Sequence, residues 1–114
     1  MMTLAKQEID VARKIKAIEY LKAQLVGNNA QVMFQMLEGG EEEIISATAD
    51  LLLTGFILAR RCGIDYARLE REILDKARHA AQQRENLEKW YGDYTNFVHY
   101  LLARTGQLPE GETL

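Results

Sequence analysis

Proline occurs once in the 114 residues, at Pro109, so no helix in the body of the chain is interrupted by a proline ring. Alternating runs of β-branched residues, the mark of half-buried strands, are also missing. Together these absences leave an all-α fold. Cysteine too occurs once, at Cys62, which excludes an intramolecular disulfide and fits a reducing compartment, so a cytoplasmic location is expected. Standing just before Gly63 at the end of an apolar stretch, Cys62 reads as a small buried hydrophobe. No run of Lys and Arg exceeds two residues and the net charge is −3, which argues against a nucleic-acid surface. Only the start of the chain leans the other way, with Lys6, Arg13, Lys14, Lys16 and Lys22 against Glu8, Asp10 and Glu19, and this reads as a solvated helix face. The first ten residues include acids and no continuous apolar core, unlike a secretory signal. The longest apolar stretch, residues 44–59, is broken by Ser46, Thr48, Asp50, Thr54 and Gly55 and falls short of the roughly 20 residues of a membrane span. No membrane partner is expected.

What is present is ordinary globular material: 47% hydrophobic and 27% charged residues, enough for one folded domain. That domain is placed at residues 1–105, with a tail at 106–114 that has no periodicity and is expected to be mobile. A first helix, capped by Thr3, carries Ile9, Ala12, Ile15, Ile18, Leu21 and Leu25 at three- and four-residue spacing and is expected to end at Gly27-Asn28-Asn29. A short second helix over 30–37 is apolar but for its Gln residues, and Gly39-Gly40 ends it. A third opens on Glu41, Glu42 and Glu43, which suit the positive end of a helix dipole, and runs to about Cys62. Being apolar nearly all round, it should be central, covered by its own neighbours or by a second subunit. After the stop at Gly63, a fourth helix buries Tyr66, Leu69, Ile73, Ala77, Ala80, Leu87 and Tyr91 and sets Glu72 against Lys76 and Glu85 against Lys89 on its exposed side. Gly92-Asp93 kinks or restarts the chain before a last amphipathic segment with Tyr94, Phe97, Val98, Leu101 and Leu102.

Asp50 is the only formal charge in residues 44–59. A carboxylate in such surroundings is costly to bury unless it is paired, hydrogen-bonded or bound to a cation. Two explanations stand side by side: a structural ion pair with Arg13, Lys14 or Lys16 from another helix, or a present or former metal site. Glu43, seven residues earlier, falls about 20° from Asp50 around the helix and roughly 10 Å along it, far for one ion but workable where a substrate's phosphates share the coordination. Glu38, Glu41 and Glu42 would add oxygens only if the glycine turn brings them inward; taken alone, the acidic run is a solvated helix start.

Other candidates carry less. Trp90-Tyr91 offers faces for a nucleobase, but such a pair near a helix end more commonly belongs to a core or an interface. His79 and His99 lack a Cys or acid at zinc-ligand spacing. Ser46 and Thr48 have no nearby His in sequence to activate them and are expected to bond to backbone carbonyls.

Three segments carry a resemblance. They are residues 12–23 (Ala-Arg-Lys-Ile-Lys-Ala-Ile-Glu-Tyr-Leu-Lys-Ala), residues 41–64 from Glu41-Glu42-Glu43-Ile44 to Arg60-Arg61-Cys62-Gly63-Ile64, and Glu88-Lys89-Trp90-Tyr91-Gly92-Asp93. The chain resembles the all-α nucleoside triphosphate pyrophosphohydrolases of the MazG superfamily, and more closely the MazG-like family of small proteins. The resemblance implies a four- to five-helix bundle and Mg²⁺-dependent cleavage of a nucleoside triphosphate between its α and β phosphates. It also implies a ligand set of one E-x-x-E pair and one E-x-x-D pair on successive helices. Asp50 matches the last of these acids, but Ala47 stands where its Glu partner would be, and an ungapped placement sets the first pair at Asn29 and Val32, in an acid-free stretch from 28 to 37.

The expectation is therefore a MazG-like protein with a degenerate metal site. Asp50 and Glu43 would be weak Mg²⁺ ligands, and a nucleoside triphosphate or related phosphate compound the partner. The alternative is a non-catalytic helical module that senses a nucleotide or binds a protein. A homodimer or tetramer is expected, because the second and third helices are too apolar for one small chain to cover.

Overall fold

The computed structural model describes residues 2–104 and 106. Among them are five helices and no strand: α1 Met2–Glu38, α2 Glu41–Arg61, α3 Tyr66–Gln82, α4 Asn86–Tyr91 and α5 Asp93–Arg104. The all-α expectation is met. Beyond Gly106, the tail expected to be mobile lies outside the described residues. Contacts divide the chain into two compact units, Met1–Tyr66 and Ala67–Leu114. No helix among the described residues is long and apolar enough to cross a membrane.

The first unit is a hairpin of two long helices. The expected break at Gly27-Asn28-Asn29 does not occur: α1 runs through it, so the two helices expected before residue 38 are one. Thr3 is correspondingly inside α1 instead of capping it. A lone glycine weakens a helix by only about 1 kcal/mol, which packing along the rest of a long helix outweighs. Asn28 is held by tertiary bonds, its amide donating to the Thr54 hydroxyl (2.7 Å) and to the Asp50 carbonyl (3.2 Å) across the hairpin.

The real stop comes at Gly39, whose N–H donates to the Gln35 carbonyl at 2.6 Å. A Cβ on Gly39 would lie 2.8 Å from that same oxygen, so only glycine fits. Gly40, extended at φ −85° and ψ −175°, opens α2 without a side-chain cap, and Glu41, Glu42 and Glu43 meet the positive end of its dipole. At the other end Gly63 (φ 90°) donates to the Arg60 carbonyl and Ile64 to the Ala59 carbonyl, a Schellman closure in which the left-handed residue costs nothing because it is glycine. Cys62, at the C-cap of α2, is exposed and not the buried hydrophobe its neighbours suggest.

Within the hairpin Val32, Ala47 and Thr54 are buried. The far side of α2 is not covered, with Ile45, Leu52 and Leu53 exposed by 55%, 57% and 61%. Within the first unit α1 therefore covers only one side of this helix.

The second unit corrects the expected single helix over 66–91. Arg84 adopts φ 52°, its N–H donates to the Ala81 carbonyl and that of Glu85 to the Ala80 carbonyl, closing α3 with the same motif as α2 but without glycine. Only the middle of the expected stripe is covered: Ala77 and Ala80 are buried and Leu69 and Ile73 half-buried, whereas Tyr66 at its start and Leu87 and Tyr91 beyond the break are exposed. Glu72 and Lys76 pair at 3.9 Å as their spacing predicts, while Glu85 instead occupies the N-cap position of α4. The restart at Gly92-Asp93 is observed, through Gly92 in the left-handed region (φ 69°). Glu88 spans that corner, accepting the Thr95 hydroxyl (2.6 Å) and the Thr95 N–H (3.0 Å) at the start of α5. These two bonds, the hydroxyl first, hold the Glu88 carboxyl below the usual range. Val98 and Leu101 complete the core of this unit, and Arg104 pairs with Glu70.

Candidate functional site

Polar side chains from both helices of the hairpin meet in one hollow of about 180 Å³, lined by Gln31 and Gln35 of α1 and Glu43, Ser46, Ala47 and Asp50 of α2. The helical spacing that groups Glu43 with Asp50 is thus realised in three dimensions. Ala47, on the turn between them, is buried against α1. Above the hollow the Asn28–Thr54 bond fixes the two helices in register.

Asp50 is not the buried charge that its apolar neighbours suggest. Its carboxylate belongs to an exposed residue, because the side of α2 that carries it borders the hollow, which is open to solvent. Nor are the proposed cations its partners. Arg13 and Lys14 line a separate hollow with Asp10, Val11, Ala17 and Arg61, at the opposite end of the hairpin. Asn28, which touches the Asp50 backbone, is 12 residues beyond Lys16, or about 18 Å of helix rise. With exposure the cost that demanded a compensating charge disappears.

The family resemblance sets the first acidic pair at Asn29 and Val32, neither of which is an acid. Val32 is instead buried between the helices, and Gln31 and Gln35 face the two carboxylates. The signal that would have found them was present: within residues 30–37 these glutamines alone relieve an apolar run, and at i, i+4 they share one helix face. In the sequence Asn28 looks like part of a helix end and Thr54 like one more interruption of an apolar stretch; their pairing depends on the register of the hairpin, which no local pattern reveals.

The donor set does not fit Mg²⁺. Mg²⁺ is held by hard oxygens converging on one point, and here the backbone positions of Glu43 and Asp50 are about 10 Å apart along the helix, with the Ala47 methyl group between them and the neutral amides of Gln31 and Gln35 opposite. Among the described residues no group of three or more His, Cys, Asp or Glu is placed to hold a metal ion. What the hollow can do is hydrogen-bond: four amide N–H groups and one hydroxyl donate, and two carboxylates accept.

Elsewhere, Trp90 and Tyr91 lie edge to face, with centroids 6.5 Å apart and planes at 83°, and are exposed by 63% and 70%. They are not core residues of this chain. A groove of about 570 Å³ in the second unit is walled by Ile73, Ala77 and Phe97 beside Lys76, Glu85 and Asp93.

No curated protein and no solved structure matches the chain significantly. The profile of the MazG-like family, by contrast, matches residues 11–94, a span that contains the whole hollow and runs through the α4–α5 corner. The chain belongs to the MazG-like family.

Proposed function

We propose that this protein is a non-catalytic member of the nucleoside triphosphate pyrophosphohydrolase superfamily, a helical interaction module built on a degenerate metal site. One observation carries the reading: Ala47 separates Glu43 from Asp50, and the helix opposite offers the uncharged Gln31 and Gln35. Two carboxylates without a cation between them repel a triphosphate, and phosphoryl chemistry relies on positive charge to neutralise what develops on the transferring group. Amides supply hydrogen bonds but no such charge.

A second reading, weak Mg²⁺-dependent hydrolysis of a nucleoside triphosphate or related phosphate compound, draws on the fact that Glu43 and Asp50 do share the hollow. A pyrophosphate-release assay across canonical and modified nucleotides separates the two. The expected result is background release, equal in the wild type and Asp50→Asn, with and without Mg²⁺. Mg²⁺-dependent release that Asp50→Asn abolishes would replace the first reading by the second.

A further inference from the structure

The groove of the second unit has an apolar body and one acidic end. It lies between α3 and α5, which run in opposite directions, the far end of α5 being tied to the start of α3 by the Arg104–Glu70 pair. Its floor is made by Ala77 and Ala80, both buried, and its walls by Ile73 and the rings of Tyr94 and Phe97. From Ile73 to Ala80 the floor covers about 10 Å of helix rise. At about 570 Å³ the groove falls within the range of small-molecule sites, which are mostly apolar with a few polar groups that fix orientation.

The polar groups here are Glu85 and Asp93, and they share one end. The Glu85 N–H donates to the Ala80 carbonyl, and Asp93 opens α5 beside Tyr94. Glu85 stands at the N-cap of α4 without a side-chain cap bond, and among the described residues neither carboxylate is in an ion pair. The corner that carries Asp93 is tied by the two bonds from Thr95 to Glu88, so the acidic end keeps its form without a ligand. Lys76, the one cation lining the groove among the described residues, lies further along α3 and has its ammonium 3.9 Å from the Glu72 carboxylate.

We infer that this groove binds a small amphiphilic amine, its apolar body along Ala77 and Ala80 between Ile73 and Phe97, its ammonium head held by Glu85 and Asp93 beside the Tyr94 ring. Charge selects this class. Two carboxylates at one end repel an anionic head, and an uncharged ligand leaves them unused, whereas an ammonium gains both of them and the face of an aromatic ring. The groove shares no residue with the hollow of the first unit, so the inference stands or falls separately from the proposed function.

Titration of the ¹⁵N-labelled full chain with 4-phenylbutylamine, followed by NMR, tests it. Saturable shifts are expected at the Ala77, Ala80, Tyr94 and Phe97 amides, with a dissociation constant on the order of 1 mM for so small a ligand. Two comparison probes separate the parts of the site: 4-phenylbutyrate keeps the body and reverses the head, and butylamine keeps the head and loses the ring. Each should bind about tenfold or more weakly. Glu85→Gln combined with Asp93→Asn should bring the amine down to the level of 4-phenylbutyrate; both positions are exposed, and circular dichroism shows whether the helices persist. Should that variant unfold, the three probes on the wild type decide alone. Equal binding of amine and carboxylate, equal binding of butylamine, or shifts confined to residues outside the groove would overturn the inference. So would groove amides that ignore the amine but shift on protein dilution, which would give the face to a second copy of the chain.

Discussion

Asn28 shows how much of this protein rests on single polar side chains that no motif announces. Its amide holds the buried Thr54 hydroxyl, and Asn28→Ala would leave that hydroxyl without its amide donor inside the hairpin. The expected cost is about 1–3 kcal/mol, read as a lower midpoint in chemical denaturation. Glu88 has a comparable place in the second unit. Its carboxyl is held low by the two bonds from Thr95, so it binds fewer protons folded than unfolded in the acid range. The stabilisation is therefore complete above the ordinary carboxylate range and is lost as pH falls through the depressed value. Glu88→Gln should melt below the wild type at neutral pH, with the gap closing below about pH 4; a gap independent of pH would assign the effect to something other than the ionised carboxylate. Asp50 is the contrasting case. Its apolar neighbours in sequence suggest burial, but burial depends on what covers each side of a helix, and the side bearing Asp50 borders an open hollow.

Helices α2 and α5 are legible in the sequence because their signals are local: three acids followed by an apolar run, a stop at Gly63, a restart at Gly92-Asp93. The two errors have opposite physical origins. Gly27 looks like a stop, yet α1 passes through it and nothing lies within 4 Å of where its Cβ would be. Gly27→Ala should accordingly stabilise the protein by about 0.5–1 kcal/mol, whereas a left-handed glycine at a true helix end would make the same change destabilising. Arg84 does not look like a stop, yet it takes the left-handed conformation that ends α3. Arg84→Gly should relieve strain and raise stability by about 1 kcal/mol in thermal or urea unfolding. Side-chain type alone is silent at Arg84, because arginine has no preference for the left-handed region that would announce the stop.

For the whole molecule, the all-α class and the grouping of Glu43 with Asp50 could be read from residue spacing and pattern, and the family from the resemblance of three segments. The partners across the hollow could not, since Gln31, Gln35 and Asn28 meet α2 only through a hairpin register set by Gly39 and Gly40. Gly39→Ala, which would press a Cβ against the Gln35 carbonyl, tests that register and should cost about 1–3 kcal/mol. On the proposed reading Ala47 decides the chemistry: the hairpin places acids on both sides of its methyl group, opposite two amides, and so offers no convergence of charge for a metal ion. The most direct measurement is thermal unfolding during a Mg²⁺ titration, in the wild type and in Asp50→Asn. A ligand that binds only the folded state raises the melting temperature by mass action. The account predicts no Mg²⁺-dependent rise in either protein at millimolar concentrations, and a rise in the wild type that Asp50→Asn removes would contradict it.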